Sequence, residues 1–143
     1  DASKPAPSLS IPSKIVNPSA KYIAIALDPD APFPSMPLLG PVLHWIQTDL
    51  TTDDDADDDG WIKLTSSAKA VVYWGPPGPP PISAPHRYVF LVWEQPKDLT
   101  NEQARTSLGL PEEVGLRSRV RWNQEDCEKI LGLGQVLGGN YFV

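Results

Sequence analysis

With 143 residues, of which 41% are apolar, the chain is long enough for one domain, residues 1–143, with a single hydrophobic core. Its 17 prolines and 10 glycines favour a loop-rich β protein over a helical bundle or a disordered chain. The net charge of −6 argues against non-specific nucleic-acid binding, which requires clustered Lys and Arg, and no apolar run is long enough to form a transmembrane segment.

The N-terminal segment, residues 1–18, is polar and rich in Pro and Ser. The chain does not begin with methionine, and its only methionine is Met36. Such a start fits either the removal of a signal segment or a proteolytic boundary. We therefore expect a processed, secreted form rather than a cytoplasmic one.

Four segments predict β-strands. Residues 22–27 form a continuous apolar run that stops at Asp28-Pro29, as a buried strand does where a turn begins. Residues 42–50, 68–74 and 87–93 are rich in β-branched and aromatic side chains, which favour strands.

The only two histidines, His44 and His86, lie at the starts of predicted strands. Side chains alternate between the two faces of a strand, so one face of the second predicted strand carries Val42, His44, Ile46 and Thr48. By the same rule one face of the fourth carries His86, Tyr88, Phe90 and Val92. We therefore expect both imidazoles to meet at a common rim.

Two short helices follow. Thr100 and Gln103 form a capping box that starts the first, and Gly109 lies near its end. Asn123 caps the second. Cys127, Ile130 and Leu131 follow it at helical spacing and precede Gly132. Cys127 is the only cysteine, so it cannot form an internal disulfide, and we expect it to be buried. Residues 140–143 predict a final, short strand, which completes a mainly β domain with a central antiparallel sheet and short peripheral helices.

Three motifs contain most of the residues that support binding chemistry. They are Asp28-Pro-Asp-Ala-Pro32, Gly40-Pro-Val-Leu-His-Trp-Ile46 and Gly78-Pro-Pro-Pro-Ile-Ser-Ala-Pro-His-Arg-Tyr88, the last followed by Trp93-Glu-Gln95. With these residues the chain resembles the phosphatidylethanolamine-binding protein family, which includes Raf kinase inhibitor protein, plant flowering regulators and carboxypeptidase Y inhibitors. The resemblance covers residues 22–95 well and continues more loosely to residue 143.

The resemblance implies a β-sandwich. Relatives usually carry another strand before the region that matches Tyr22 and a C-terminal helix after the region that matches Val143. Neither is visible in this sequence. Either the ligand pocket is more open here, or flanking sequence lies outside the chain.

The resemblance also implies a small pocket for phosphate-bearing head groups and other anions, lined by the residues that match Asp28, Pro32, His44, Gly78, Pro79, His86 and Tyr88. It makes His86 and Asp28 the principal polar contacts, His44 a wall or second donor, and Tyr88 an aromatic side. Two departures affect the shape of the pocket: Val42 replaces a frequent aromatic residue, and residues 82–84 stand where relatives often have glycines.

The residue types fit that chemistry. A carboxylate close to two imidazoles raises their pKa values, and protonated imidazoles donate hydrogen bonds to an anion. We therefore expect anion affinity to fall as the pH rises through the pKa values of His44 and His86. Arg87 is expected to pair with Asp30, which is equally a candidate for a turn-forming residue of the Asp-Pro motif.

These observations predict a non-enzymatic, regulatory anion-binding module without a cofactor or a metal. Its ligand would be a small anion, a phospholipid head group or a phosphorylated partner. The alternative is an inhibitor of a serine carboxypeptidase or another protease, and a kinase is a further candidate partner. Ser83 is the only hydroxyl near His86, and it lacks the Gly-x-Ser-x-Gly setting of a nucleophile.

Three other patterns are weaker. Residues 55–60 match the first half of a calcium loop, but Ser66 stands where a glutamate should complete it, so we expect a solvated acidic hairpin loop. Residues 76–81 could be a polyproline ligand, although their position between two strands favours an ordered loop. Asp28, His44 and His86 form the ligand set of an iron site but lack its usual close His-x-Asp spacing.

Overall fold

A computed structural model describes residues 5–52 and 55–143. Its strands and helices are, in chain order, β1 (Leu9–Pro12), β2 (Tyr22–Asp28), β3 (Val42–Thr52), β4 (Trp61–Thr65), β5 (Tyr88–Glu94), α1 (Asn101–Ser107), α2 (Gln124–Leu131) and β6 (Gly138–Phe142). Single 3-10 turns occur at Ser13–Ile15 and Leu116–Ser118. None of the helices described is long and apolar enough to cross a bilayer.

The strands form one antiparallel sheet in the order β1-β4-β3-β2-β5-β6. The predicted mainly β class, with a central antiparallel sheet and short helices, is confirmed. The long strand β3 pairs with β2 over most of its length, and only Thr51 and Thr52 pair with β4. Asp49, just before this change of partner, has a positive φ of 56°. The sheet therefore bends within β3, and its β1–β4 end folds over one face of the rest.

All residues of β2 are buried, because the core consists of two apolar clusters, one on each face of this strand. The first cluster lies inside the bend, where Ile11 of β1 and Leu64 of β4 meet Tyr22, Trp45 and Phe90. The second lies under the helices and contains Ile23, Ile25, Trp93, Cys127 and Leu131. Cys127 is buried on α2, as predicted.

The local signals for the helices are confirmed. In the capping box of α1, the Thr100 hydroxyl accepts from the Gln103 amide at 3.1 Å and the Gln103 side chain accepts from the Thr100 amide at 2.9 Å. Asn123 caps α2, which ends at Gly132 in the left-handed region that favours glycine. The final predicted strand is β6, which pairs with β5.

The predicted strand at residues 68–74 is wrong. Only Val72 forms a bridge, to Ile46 of β3, and the segment covers the free edge of β3 with residues 70–72 buried. The segment is apolar because it is buried there, not because it is a strand. The prolines that follow Gly75 lack the amide donors that a continued strand pairing would need.

The N-terminal segment is more than a polar tail. Residues 1–4 lie outside the described residues, but Leu9–Pro12 forms β1, and Ile11 is 5% exposed within the first cluster. The expectation that no strand precedes Tyr22 is therefore wrong. With only four residues, β1 carries too little periodicity to be recognised from the sequence.

Candidate functional site

A buried pair of Asp28 and His86 joins the end of β2 to the start of β5. His86 Nδ1 lies 2.8 Å from Asp28 Oδ2, and the two side chains are 2% and 6% exposed. The other carboxylate oxygen, Oδ1, accepts a hydrogen bond from the Asp30 amide at 2.8 Å. Each oxygen of Asp28 therefore has a partner within the protein, so this carboxylate holds the site together.

The second nitrogen of His86 is also occupied. Nε2 lies 3.1 Å from the carbonyl oxygen of Pro32 and 2.9 Å from Ser83 Oγ. A carbonyl and a carboxylate can only accept, so Nε2 donates to Pro32 as Nδ1 donates to Asp28, while the Ser83 hydroxyl donates to the Ala84 carbonyl at 2.8 Å. Ser83, His86 and Asp28 thus have the spacing of a catalytic triad, but the histidine donates where a triad requires it to accept.

A second ion pair fixes the Asp-Pro motif against β5. Asp30 accepts from Arg87 Nη2 at 2.6 Å, Arg87 Nε at 2.9 Å and the Arg87 amide at 2.8 Å. The side-chain hydrogen bond from Arg87 lowers the pKa of Asp30, and Asp30 raises the pKa of Arg87 in return. The predicted Asp30–Arg87 pair is confirmed, and its role is to position the neighbouring Asp28 and His86.

A β-bulge at His44 turns its ring into the site. The pairing of β3 with β2 shifts by one residue between Leu27↔Leu43 and Ala26↔Trp45, so that His44 is an extra residue. The rings of both His44 and Trp45 contact Trp74, so these two consecutive side chains lie on the same face of the sheet. The predicted shared face of His44 and Ile46 is wrong, because the bulge sends Ile46 to the second core cluster.

One nitrogen of His44 remains available. Nδ1 donates to the Gly75 carbonyl, while no described residue makes a hydrogen bond to Nε2. Burial lowers the pKa of His44 below its ordinary value of 6.5, although the Gly75 carbonyl and the charge of Asp28 act in the opposite direction. The expectation of a raised pKa is therefore wrong for His44, whose neutral form leaves a lone pair on Nε2.

Tyr88 is the buried aromatic residue that connects the two histidines. Its ring lies edge-on to His44 at 5.3 Å, and it stacks on Phe142 at 5.2 Å and on His86 at 6.4 Å. Burial, aided by the charge of Asp28, raises the pKa of Tyr88 to about 12, against the opposing influence of the Gly78 amide. That amide is outside hydrogen-bond geometry, and the buried hydroxyl has no partner. Tyr88 therefore holds an unused donor beside the histidines.

A cavity of about 340 Å³ opens beside these groups. Most predicted site residues line it, namely Asp28, Pro32, His44, Gly78 and His86. Pro79 does not line it, and Tyr88 stands behind the two imidazoles. No group of three metal-binding side chains in residues 5–52 and 55–143 could hold an ion, and Asp28 and His86 already bind each other. The cavity combines a few polar groups with largely apolar walls, as small-molecule sites usually do.

Arg119 also lines this cavity and was not predicted. Its half-buried guanidinium donates to the carbonyls of Leu43 at 3.1 Å, His44 at 3.0 Å, Tyr73 at 2.8 Å and Val114 at 3.2 Å. No described carboxylate pairs with it. Burial lowers its pKa, but a guanidinium remains charged in proteins. Arg119 therefore places an unneutralised positive charge beside His44.

Gly75 allows this close packing. A Cβ at Gly75 would lie 3.3 Å from Arg119 Nη1 and 3.8 Å from His44 Nδ1. No sequence motif indicates the contact, because Arg119 lies 75 residues from His44 along the chain. Only the closeness of three arginines at alternate positions, 117, 119 and 121, could have drawn attention to this segment.

The weaker patterns have structural explanations. Residues 55–60 lie in the loop between β3 and β4, where Asp57 accepts from the amides of Asp59 and Trp61 at 3.1 and 2.8 Å. This confirms an exposed acidic hairpin loop, while Asp53 and Asp54 lie outside the described residues. The proline-rich segment is an ordered loop, and Pro76, Gly78 and Pro80 line the cavity.

Comparison with known sequences identifies relatives. The sequence matches the family model described as Phosphatidylethanolamine-binding protein over residues 2–142. Protein BROTHER of FT and TFL 1 from Arabidopsis thaliana is 35% identical over 74 residues, which cover 52% of this chain and 36% of that protein. CEN-like protein 4 from Nicotiana tabacum is 37% identical over 121 residues, or 85% of this chain and 57% of that protein. The chain thus spans less than two thirds of the length of these relatives.

Two solved structures share the fold. A carboxypeptidase Y inhibitor, solved in complex with its cognate proteinase, superposes with a TM-score of 0.67 at 21% identity, over 90% of this chain and 61% of that one. A phosphatidylethanolamine-binding protein from Plasmodium vivax gives a TM-score of 0.55 at 18% identity, over 87% of this chain and 64% of that one. At these identities the likeness is one of fold.

Proposed function

Because the chain belongs to the phosphatidylethanolamine-binding protein family, we propose that it is a non-enzymatic regulator whose cavity binds a small anionic group. The group is the phosphate of a phospholipid head group or of a phosphorylated partner. The observation that carries this proposal is the free Nε2 of His44 and the charge of Arg119 in the cavity lining. Beside His44 lies the buried ring of Tyr88, whose unpaired hydroxyl is close to the amide of Gly78, another lining residue. An anion supplies an acceptor for the Tyr88 hydroxyl and the negative charge that Arg119 lacks, and it favours protonation of His44 Nε2, which then donates.

The proposed roles differ from those expected from the sequence. Asp28 and His86 satisfy each other, so we assign them to positioning, together with Pro32 and Ser83. Tyr88 donates its hydroxyl proton to the anion, and His44 donates from Nε2 once it is protonated. The Gly78 amide, close to the Tyr88 hydroxyl, completes the set of donors.

The direct test is a titration with phosphoethanolamine, followed by two-dimensional amide NMR, on the wild type and on Tyr88→Phe. This substitution keeps the ring and removes only the unpaired hydroxyl. We expect affinity to fall about tenfold to a hundredfold, the value of one hydrogen bond to a charged group, while stability is unchanged or higher. Tyr141→Phe, on the exposed β6, is the matched control and should bind like the wild type. Equal affinities for wild type and Tyr88→Phe would remove the hydroxyl from the site.

Anion affinity is expected to rise as the pH falls. In the free protein the pKa of His44 lies below 6.5, so the ring is neutral near pH 7 and must take up a proton to donate to the anion. Affinity for sulfate, whose charge does not change over this range, should be flat at high pH. As the pH falls from the pKa of His44 in the complex to its pKa in the free protein, the affinity should increase by up to about tenfold per pH unit. His44→Gln should bind with an affinity that does not vary with pH, and a pH-dependent His44→Gln would contradict this assignment.

Protease inhibition is the second candidate function. Its support is the likeness in fold to an inhibitor that was solved with its cognate proteinase. The test is a direct assay of this chain against serine carboxypeptidases and other serine proteases. Absence of inhibition at concentrations well above those used for head-group binding would remove this candidate and leave the anion site unaffected.

A further inference from the structure

The mouth of the cavity is surrounded by exposed aliphatic side chains. Leu116 is 70% exposed, Leu38 62%, Met36 51% and Leu39 38%, and both Leu39 and Leu116 also line the cavity. Large apolar side chains grouped around a site mark an interaction surface, whereas isolated ones carry no such meaning. We call these four residues, together with the exposed Arg117 and Arg121, the mouth surface.

Hydrogen bonds join the two segments that form the mouth surface. The Arg121 amide donates to the Leu39 carbonyl at 2.9 Å, and Arg121 Nε donates to the Leu38 carbonyl at 3.1 Å. Within the second segment, the Val120 amide donates to the Leu116 carbonyl at 3.1 Å. The two segments that carry the aliphatic side chains and the two arginines therefore adjoin at the surface.

The charge of the mouth surface is opposite to that of the whole protein. The chain has a net charge of −6, yet the segment 116–122 contains three arginines and no acidic residue. Neither Arg117 nor Arg121 forms a salt bridge with a described carboxylate. A partner that bears negative charge is therefore attracted to this face in particular.

An anionic phospholipid bilayer matches this combination. Aliphatic side chains enter the boundary between head groups and acyl chains, and arginines beside them attract anionic lipids. Protein interfaces are also enriched in Met and Arg, but the Tyr, Trp and Phe that accompany them there are absent from the mouth surface. A free head group would occupy the cavity without touching Met36 or Leu38, which do not line it.

We propose that the mouth surface docks on an anionic phospholipid bilayer while one lipid head group enters the cavity. This inference rests on the proposed anion site. It adds that the aliphatic side chains contribute to binding only when the head group is part of a membrane. The head-group contacts and the mouth surface are thus separable by mutation.

The test is sedimentation of the intact chain with phosphatidylcholine vesicles in which about 20% of the lipid is phosphatidylserine. The variant Leu38→Ser, whose side chain does not line the cavity, should bind these vesicles about tenfold more weakly than the wild type. Arg117→Glu should bind about fivefold or more weakly at low salt, with a smaller loss at high salt. Matched controls are Ile130→Ser, 52% exposed on α2, and Lys97→Glu, both expected to bind like the wild type.

Soluble phosphoethanolamine separates the two proposals. All the variants should bind it as the wild type does, because their side chains lie outside the head-group contacts. If the wild type binds soluble phosphoethanolamine but not vesicles, or if Leu38→Ser binds vesicles normally, the proposal of bilayer docking is overturned and the proposed anion site stands. If the wild type binds neither, both are overturned. If Leu38→Ser no longer bound a phosphopeptide but still bound the vesicles, the partner would be a protein and the bilayer assignment would be overturned.

Discussion

Replacing His86 by alanine is expected to lower the free energy of unfolding by about 3–5 kcal/mol, because it leaves the buried carboxylate of Asp28 without its partner. Asp28 is 4% exposed, so water cannot replace the lost hydrogen bond to Oδ2. This loss is a large part of the about 5–15 kcal/mol by which small domains are stable. Urea unfolding followed by tryptophan fluorescence measures it directly.

The control for His86→Ala is the double variant Asp28→Asn/His86→Ala. Removing the charge together with its partner should recover a substantial part of the lost stability, since the unpaired ion is the main cost. A single variant that loses less than about 1 kcal/mol would show that Asp28 is reached by water or finds another donor. One practical consequence is that weaker anion binding by His86→Ala is not evidence of a contact between His86 and the ligand.

Replacing Arg119 by methionine is expected to reduce sulfate affinity by about tenfold or more, which corresponds to one charge-assisted interaction. Arg119 is the only cation of the cavity lining described here that no carboxylate neutralises. Burial is the main cause that lowers the pKa of His44. The charges of Arg119 and of His86, which lies just before β5, lower it further, whereas the charge of Asp28 at the end of β2 raises it. In Arg119→Met the increase in affinity should therefore begin at a higher pH than in the wild type.

The pH shift distinguishes an electrostatic role of Arg119 from a structural one. Arg119 donates to carbonyls on three segments, so its loss also weakens their packing. Arg119→Lys keeps the charge without the fork of donors and should retain the pH profile of the wild type, even where stability falls. Arg117→Met, two residues away and exposed, should bind sulfate normally. Unchanged sulfate affinity in Arg119→Met would exclude Arg119 from the site.

Local signals account for what could be predicted from the sequence. The apolar run at residues 22–27 and the alternation at 87–93 correspond to β2 and β5, and the capping residues Thr100 and Asn123 mark the helices. The Asp-Pro motif and His86 could be placed together because they end and begin antiparallel neighbours. In each case the residues that carry the signal are close together in the chain or lie on adjacent strands.

The features that escaped prediction depend on distant contacts. The burial of residues 70–72 depends on the free edge of β3, and alternation alone could not show that the apolar segment is not a strand. The lowered pKa of His44 follows from its burial, which outweighs the charge of Asp28 that the sequence suggested. Arg119 reaches the cavity through backbone carbonyls, and any residue type can supply those, so no side-chain pattern reveals it.

The bulge at His44 makes this binding group a single-residue insertion in β3. Leu43 pairs with Leu27 and Trp45 with Ala26, so a strand without residue 44 would keep both pairings in one unbroken ladder. The apolar clusters on either side of the sheet would retain the same members. Evolution can therefore add or delete the imidazole in one step without redesigning the core, and a deletion of His44 should produce a folded protein that has lost the pH response of its pocket.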